Sequence, residues 1–196
     1  CFEQGSIADS SDYPTKSTDW ELARSGNFSF DPNIRKNSAD YPIDDSKSPI
    51  SIANFNGFGG STILYSAHFP RFHLSDFRVK TLDNIADDWP LSYSELDPFF
   101  NENEKIMGVA GLVGDTAYPE YNSLLPPIPL GDMGKVMAKA FNKKNWHWWP
   151  SYAAINTDKR KSRASCINIG PCNVGCSQGA KGSVDVTYWP LARLNG

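Results

Sequence analysis

Three cysteines fall within eleven residues of "CINIGPCNVGCSQGAK", at Cys166, Cys172 and Cys176, in a chain that holds only four. Their C-x5-C-x3-C spacing is broken by Gly170, Pro171 and Gly175, with Gly179 just beyond. Gly and Pro make a loop that can wrap a small object while thiolates converge on it. Three chemistries compete for such a loop: a disulfide with one thiol left over, three reduced structural thiols, or thiolate ligands to a metal. Structural zinc takes four ligands, so it would need Cys1 or His147 as well. Iron–sulfur centres are held by thiolates, and three cysteines suit a three-iron cluster. The spacing alone leaves all three open.

A second stretch, "NGFGGSTILYSAHFPRF" at residues 56–72, places Gly57, Gly59 and Gly60 in four positions. Such a turn lets a backbone pass close to a bulky ligand, and its N–H groups can bind phosphate. Taken alone it reads more readily as an ordinary turn. The three histidines carry less. His68 and His73 lie in a Pro- and aromatic-rich stretch where structural hydrogen bonding is the default, and His147 lies among the tryptophans of "NWHWWPSY". That aromatic run suits a core or the wall of a substrate cavity.

The elements that must position these groups are patchy. Residues 6–50 are rich in Ser, Asp, Pro and Asn with little periodicity, the character of a long segment that wraps a ligand or covers a cleft. "SYSELDPFFNENEKIM" predicts a helix opened by a capping box, Ser92 with Glu95 three residues on. Pro98 either lies inside that helix or marks its true first turn near Asp97. Residues 109–131 carry four Pro and three Gly and predict a loop. Met133, Val136, Met137, Ala140 and Phe141 recur at helical spacing and predict a helix from about Asp132 to Lys144. "SVDVTYWPLARL" predicts a third helix, interrupted or started by Pro190.

Composition bounds the function. Of 196 residues, 40% are hydrophobic and 21% charged, which excludes wholesale disorder. Net charge is −3 with no long basic run, so no nucleic-acid surface is expected. No apolar stretch reaches the ~20 residues of a membrane-spanning helix. Cys1 stands where Met would, and the sequence stops at "LARLNG", so the chain reads as an internal piece of a longer protein.

The 56–72 stretch resembles the second flavin-contacting segment of the glucose–methanol–choline (GMC) oxidoreductase family, where a GGS-S/T turn opens a helix beneath the isoalloxazine ring of FAD. "FEQG" at the N-terminus resembles the end of that family's second strand. "HFPRFHLSDFRVKTLDNIADDWPLSYSELDPFFNENEKIMGVAG" resembles the segment that follows the flavin turn in bacterial dehydrogenase-like members, and "GAKGSVDVTYWPLARLNG" the helix leading to the next strand. The resemblance implies an α/β fold of mixed α+β character, a Rossmann-like FAD-binding domain interwoven with part of an antiparallel-sheet substrate domain, incomplete at both ends. Residues 1–110 would belong to the FAD-binding domain and residues 111–196 to the start of the substrate domain.

Carried over by position, the resemblance implies that Glu3 takes the adenosine ribose and that Gly59 and Gly60 let the backbone approach the cofactor. Ser61 and Thr62 would face the pyrophosphate, with Tyr65 and Ser66 near the flavin's reactive edge. Leu64 and Tyr65 stand where some relatives attach FAD through a His, so FAD is expected to be non-covalent. The family's GxGxxG turn and catalytic His fall outside this chain, and no catalytic residue is assigned. The implied function is oxidation of an alcohol, sugar or polyol to a carbonyl by hydride transfer to flavin N5. The partners expected are a small-molecule alcohol or sugar and an electron-acceptor protein. The Cys spacing resembles that of FAD-dependent sugar dehydrogenases that carry a three-iron cluster, although the residues between the cysteines differ. The competing reading is a non-catalytic redox or metal-binding module centred on the Cys loop.

Overall fold

The computed structural model describes residues 44, 46–50, 59–158, 163–168, 170, 172–176 and 178–196. The expectations placed on Glu3 and on most of residues 6–50 lie outside them. Among the described residues the regular elements are helical: α1 (Val79–Asp83), α2 (Tyr93–Met107), α3 (Gly131–Lys144) and α4 (Tyr188–Leu194), with 3-10 turns at Gly60–Ile63, Leu74–Arg78 and Cys172–Val174.

This overturns the expected fold class. A Rossmann-like domain and an antiparallel substrate sheet both need strands, and no strand or sheet forms among the described residues. Backbone pairing there takes the form of isolated bridges, among them His68–Ala153, Ala110–Leu125 and Ala110–Ala153. A ladder must propagate residue by residue. Ala110 is flanked by Gly108, Gly111 and Gly114, which weaken a strand interior, while Leu125 is followed by Pro126, Pro127 and Pro129, which cannot donate to a ladder. Each pairing therefore ends where it begins.

Helix α2 follows its sequence signals closely. The Glu95 carboxylate accepts the Ser92 N–H at 2.8 Å and the Ser92 hydroxyl at 2.6 Å, and these bonds hold its pKa below the usual carboxylate range. The helix runs through Pro98 instead of starting at it, and stops at Gly108, whose left-handed φ of 70° lets its N–H reach the Glu104 carbonyl at 2.9 Å. Helix α3 matches the expected span within one residue. Its apolar positions Met133, Val136 and Met137 are exposed, and Ala138 is its buried contact. Helix α4 has Pro190 as its third residue, a place where the missing N–H breaks no intrahelical bond.

The chain divides into two compact units: Cys1–Ala67 with Ile167–Gly196, and His68–Cys166. The second unit is organised around Arg71, which is 5% exposed. Its Nε and Nη2 donate to the two oxygens of buried Glu104 at 2.5 and 2.8 Å, a bidentate pair. Nη1 reaches Asp97 at 2.7 Å and the Tyr93 hydroxyl at 3.0 Å, while Nη2 also donates to Asn101 at 2.9 Å. The guanidinium lies over the Tyr121 ring at 4.6 Å. Helix α2 supplies Tyr93, Asp97, Asn101 and Glu104, four residues spaced three or four apart on one face. Tyr121 in turn stacks on Tyr152 at 4.1 Å, extending the aromatic cluster.

Candidate functional site

The predicted site residues described here fall mainly in the first unit. Gly59 has φ 89° and Gly60 φ 58°, both left-handed, so glycine is what lets the chain reverse there. A Cβ on Gly59 would lie 2.9 Å from Ile63 Cδ1 and 3.0 Å from Asp185 Cβ, whereas one on Gly60 would meet nothing within 4 Å. One side of the turn is therefore packed and the other open. Ser61 is exposed on the 3-10 turn that follows. Thr62 faces inward: its hydroxyl donates to the Gly59 carbonyl at 2.6 Å and accepts the Val184 N–H at 3.0 Å, fastening residues 184–185 to the turn.

Tyr65 donates its hydroxyl to the Gly182 carbonyl at 2.5 Å, and Ser66 is exposed. Sequence reasoning did not single out Lys181, yet its ammonium joins this region together. Its side chain is buried, and Nζ donates to the carbonyls of Ile63 at 2.5 Å, Tyr65 at 3.0 Å and Cys172 at 2.6 Å. An ammonium has three hydrogens, so all three are matched by backbone acceptors. It also lies 5.2 Å from the centre of the Tyr65 ring. Burial pushes its pKa down from 10.5 to about 8, against the opposing pull of Cys172, Cys176 and Asp185.

The three cysteines do not fall in one unit. Cys172 and Cys176 belong with the glycine turn, Cys166 with the other unit, where its N–H donates to the Asn156 carbonyl at 2.8 Å. All three are of intermediate exposure. Among the described residues, no group of three or more His, Cys, Asp or Glu side chains is placed to hold a metal ion. The histidines have local partners: His68 Nδ1 pairs with Ser151 at 2.8 Å, and His73 stacks on Tyr118 at 4.1 Å. His147 Nε2 lies 2.9 Å from buried Asp115, and Trp149 gives its indole N–H to the Leu112 carbonyl at 2.8 Å.

No family model matches the chain. It is 36% identical over 98% of its length to 2-methyl-1,2-propanediol dehydrogenase of Mycolicibacterium austroafricanum. It is 27% identical over 63% of its length to the fructose dehydrogenase large subunit of Gluconobacter japonicus, and 28% identical over 70% to paromamine 6'-oxidase of Streptomyces fradiae. The chain is similar to oxidoreductases. It spans about a third of the first relative (35%) and about a quarter of the other two (24% and 25%).

A dinucleotide such as FAD needs a backbone it can approach and polar groups to bind it. Both are present at the turn. The Gly60 face is open, and against Gly59 lies Asp185 Oδ1, a buried oxygen with no hydrogen-bond partner, 3.2 Å from where a Gly59 side chain would begin. The residues of the turn therefore fit such a group. Among the described residues no helix is long and apolar enough to cross a membrane.

Proposed function

We propose that this chain is part of a GMC-type, FAD-dependent oxidoreductase that converts an alcohol of the diol or sugar class to a carbonyl. The observation that carries the reading is the similarity along nearly the whole chain to a diol dehydrogenase. The names of two less similar relatives, a fructose dehydrogenase large subunit and a paromamine 6'-oxidase, lie in the same broad reaction class.

Bound flavin would supply the hydride acceptor. This chain's own share is binding and positioning. Gly60 keeps the backbone bare for close approach, Gly59 lets Ile63 and Asp185 pack against the turn, and Thr62 holds it in shape by bridging Gly59 and Val184. Lys181 fixes the carbonyls of Ile63 and Tyr65, so the segment leaving the turn has little freedom. Glu3, Ser61, Tyr65 and Ser66 complete the proposed cofactor contacts. The test uses the full-length protein. Purified or reconstituted with FAD, it is expected to show visible flavin absorption that bleaches without air on adding a 1,2-diol or a sugar. A protein that takes up no flavin, or flavin that no alcohol reduces, ends this reading.

A further inference from the structure

Among the described residues, Asp185 places an enclosed carboxylate oxygen against the glycine turn. Its Oδ1 is enclosed and accepts no hydrogen bond, although a buried acceptor without a donor is costly, the more so when charged. The position is not accidental to the turn. Gly59 lacks the side chain that would otherwise collide with Asp185, and Thr62 anchors Val184, the neighbouring residue, at 3.0 Å. The nearby cation does not supply the missing donor, because all three N–H bonds of Lys181 go to the carbonyls of Ile63, Tyr65 and Cys172. Lys181 instead compensates the charge at longer range. The residue as a whole is only half-buried, and it borders a turn whose other side is open, where a side chain added at Gly60 would meet nothing within 4 Å.

We propose that Asp185 is a cofactor-binding residue whose carboxylate accepts a hydrogen bond from a hydroxyl or ring N–H of the ligand at the glycine turn. A fixed negative charge at this spot repels phosphate, so the turn faces the donor-bearing ribityl–isoalloxazine half of the flavin, and the pyrophosphate lies away from Asp185. This rests on the flavin reading above and sharpens it.

The test measures equilibrium binding of FAD, riboflavin and inorganic pyrophosphate to the flavin-free full-length protein. It compares wild type, Asp185→Asn and Asp185→Ala. Losing a hydrogen bond to a charged acceptor costs roughly tenfold or more in affinity. Asp185→Ala is therefore expected to weaken FAD and riboflavin alike by about that factor, without weakening pyrophosphate. Asp185→Asn keeps an acceptor oxygen and should lose less. Melting temperatures of the flavin-free variants run alongside, and Asp185→Asn, which keeps the shape, decides the matter where the alanine variant unfolds. FAD affinity equal in all three proteins overturns the role of Asp185 and leaves the flavin reading standing, as does a loss confined to pyrophosphate. Wild type that binds neither flavin overturns both.

Discussion

Arg71 and Lys181 are both buried cations, one in each unit, and the chain stabilises them by opposite means. Arg71 is matched by charge: Glu104 bidentately, Asp97 beside it, and the Tyr93 and Asn101 side chains around them. Burial works against its proton, but Glu104 and Tyr93 outweigh that, and its pKa rises. Lys181 is matched by neutral dipoles, three backbone carbonyls drawn from two distant stretches. There burial wins and the pKa falls to about 8. The difference follows from what each cation must join. A guanidinium fork fits carboxylates lined up along one helix face, whereas a point charge with three rotatable hydrogens can gather loose loops.

The largest way to break the comparison is to remove the guanidinium. Arg71→Met leaves Glu104 buried without its partner and is expected to destabilise the protein by about 3–5 kcal/mol, measured by denaturant unfolding. Pairing it with Glu104→Leu should recover a good part of the loss, since an all-apolar replacement removes the stranded charge. No recovery would mean that Glu104 is held by something other than Arg71.

The equivalent change in the first unit is expected to cost less. Lys181→Met strands three carbonyls but also removes a charge that burial disfavours, so a loss of about 2 kcal/mol is expected. Hydrogen exchange should localise it to residues 60–66 and 172–176. A loss as large as that of Arg71→Met would show that dipoles and carboxylates stabilise a buried cation equally well.

These two centres also mark what was legible in the sequence. Helix α2 was readable because its opening signal is local, Ser92 with Glu95 three residues on. Helices α3 and α4 were readable for similar reasons. The glycine turn was found because three glycines in four residues are conspicuous, and Gly59 and Gly60 both adopt left-handed backbone. Lys181 and Asp185 were not found. "GAKGSVD" looks like any polar loop, and the partners of Lys181 at Ile63 and Tyr65 are 118 and 116 residues away. Arg71 was hidden in the same way, 33 residues from Glu104. The expected sheet failed because family resemblance carried it, while the Gly and Pro spacing around Ala110 and Leu125 argued locally against ladders and was read only as loop.

Alkaline pH should separate the units by sign. Lys181 has a native pKa of about 8 against an ordinary 10.5, so between those values the unfolded chain holds more protons and stability rises with pH. The gain from this group is on the order of 1 kcal/mol by pH 9. Burial raises Tyr152 from 10 to about 12, with Asp115 and Tyr118 adding to the shift. Between 10 and 12 the native state therefore holds more protons, and that contribution is lost as pH rises. Protection factors followed from pH 7.5 to 11 should strengthen around residues 60–66 before they weaken around residues 118–125 and 152. Parallel trends in both regions would contradict the assignment of one lowered and one raised group.

The smallest expected effect isolates what is local from what is long-range in the second unit. Ser92→Ala removes a hydroxyl from the start of α2 and should cost about 0.5–1 kcal/mol, the usual worth of such a cap. The same helix carries Asp97, Asn101 and Glu104 to Arg71, so a frayed first turn could in principle loosen the charge cluster too. Ser92 lies twelve residues, more than three turns, from Glu104, and Gly108 closes the helix independently at the far end. The effects of Ser92→Ala and Arg71→Met should therefore add to within about 0.5 kcal/mol in a double-mutant cycle. Strong coupling would mean that the cap sets the register of the whole acidic face, and that Arg71 is held by the frame of α2 as much as by its own carboxylates.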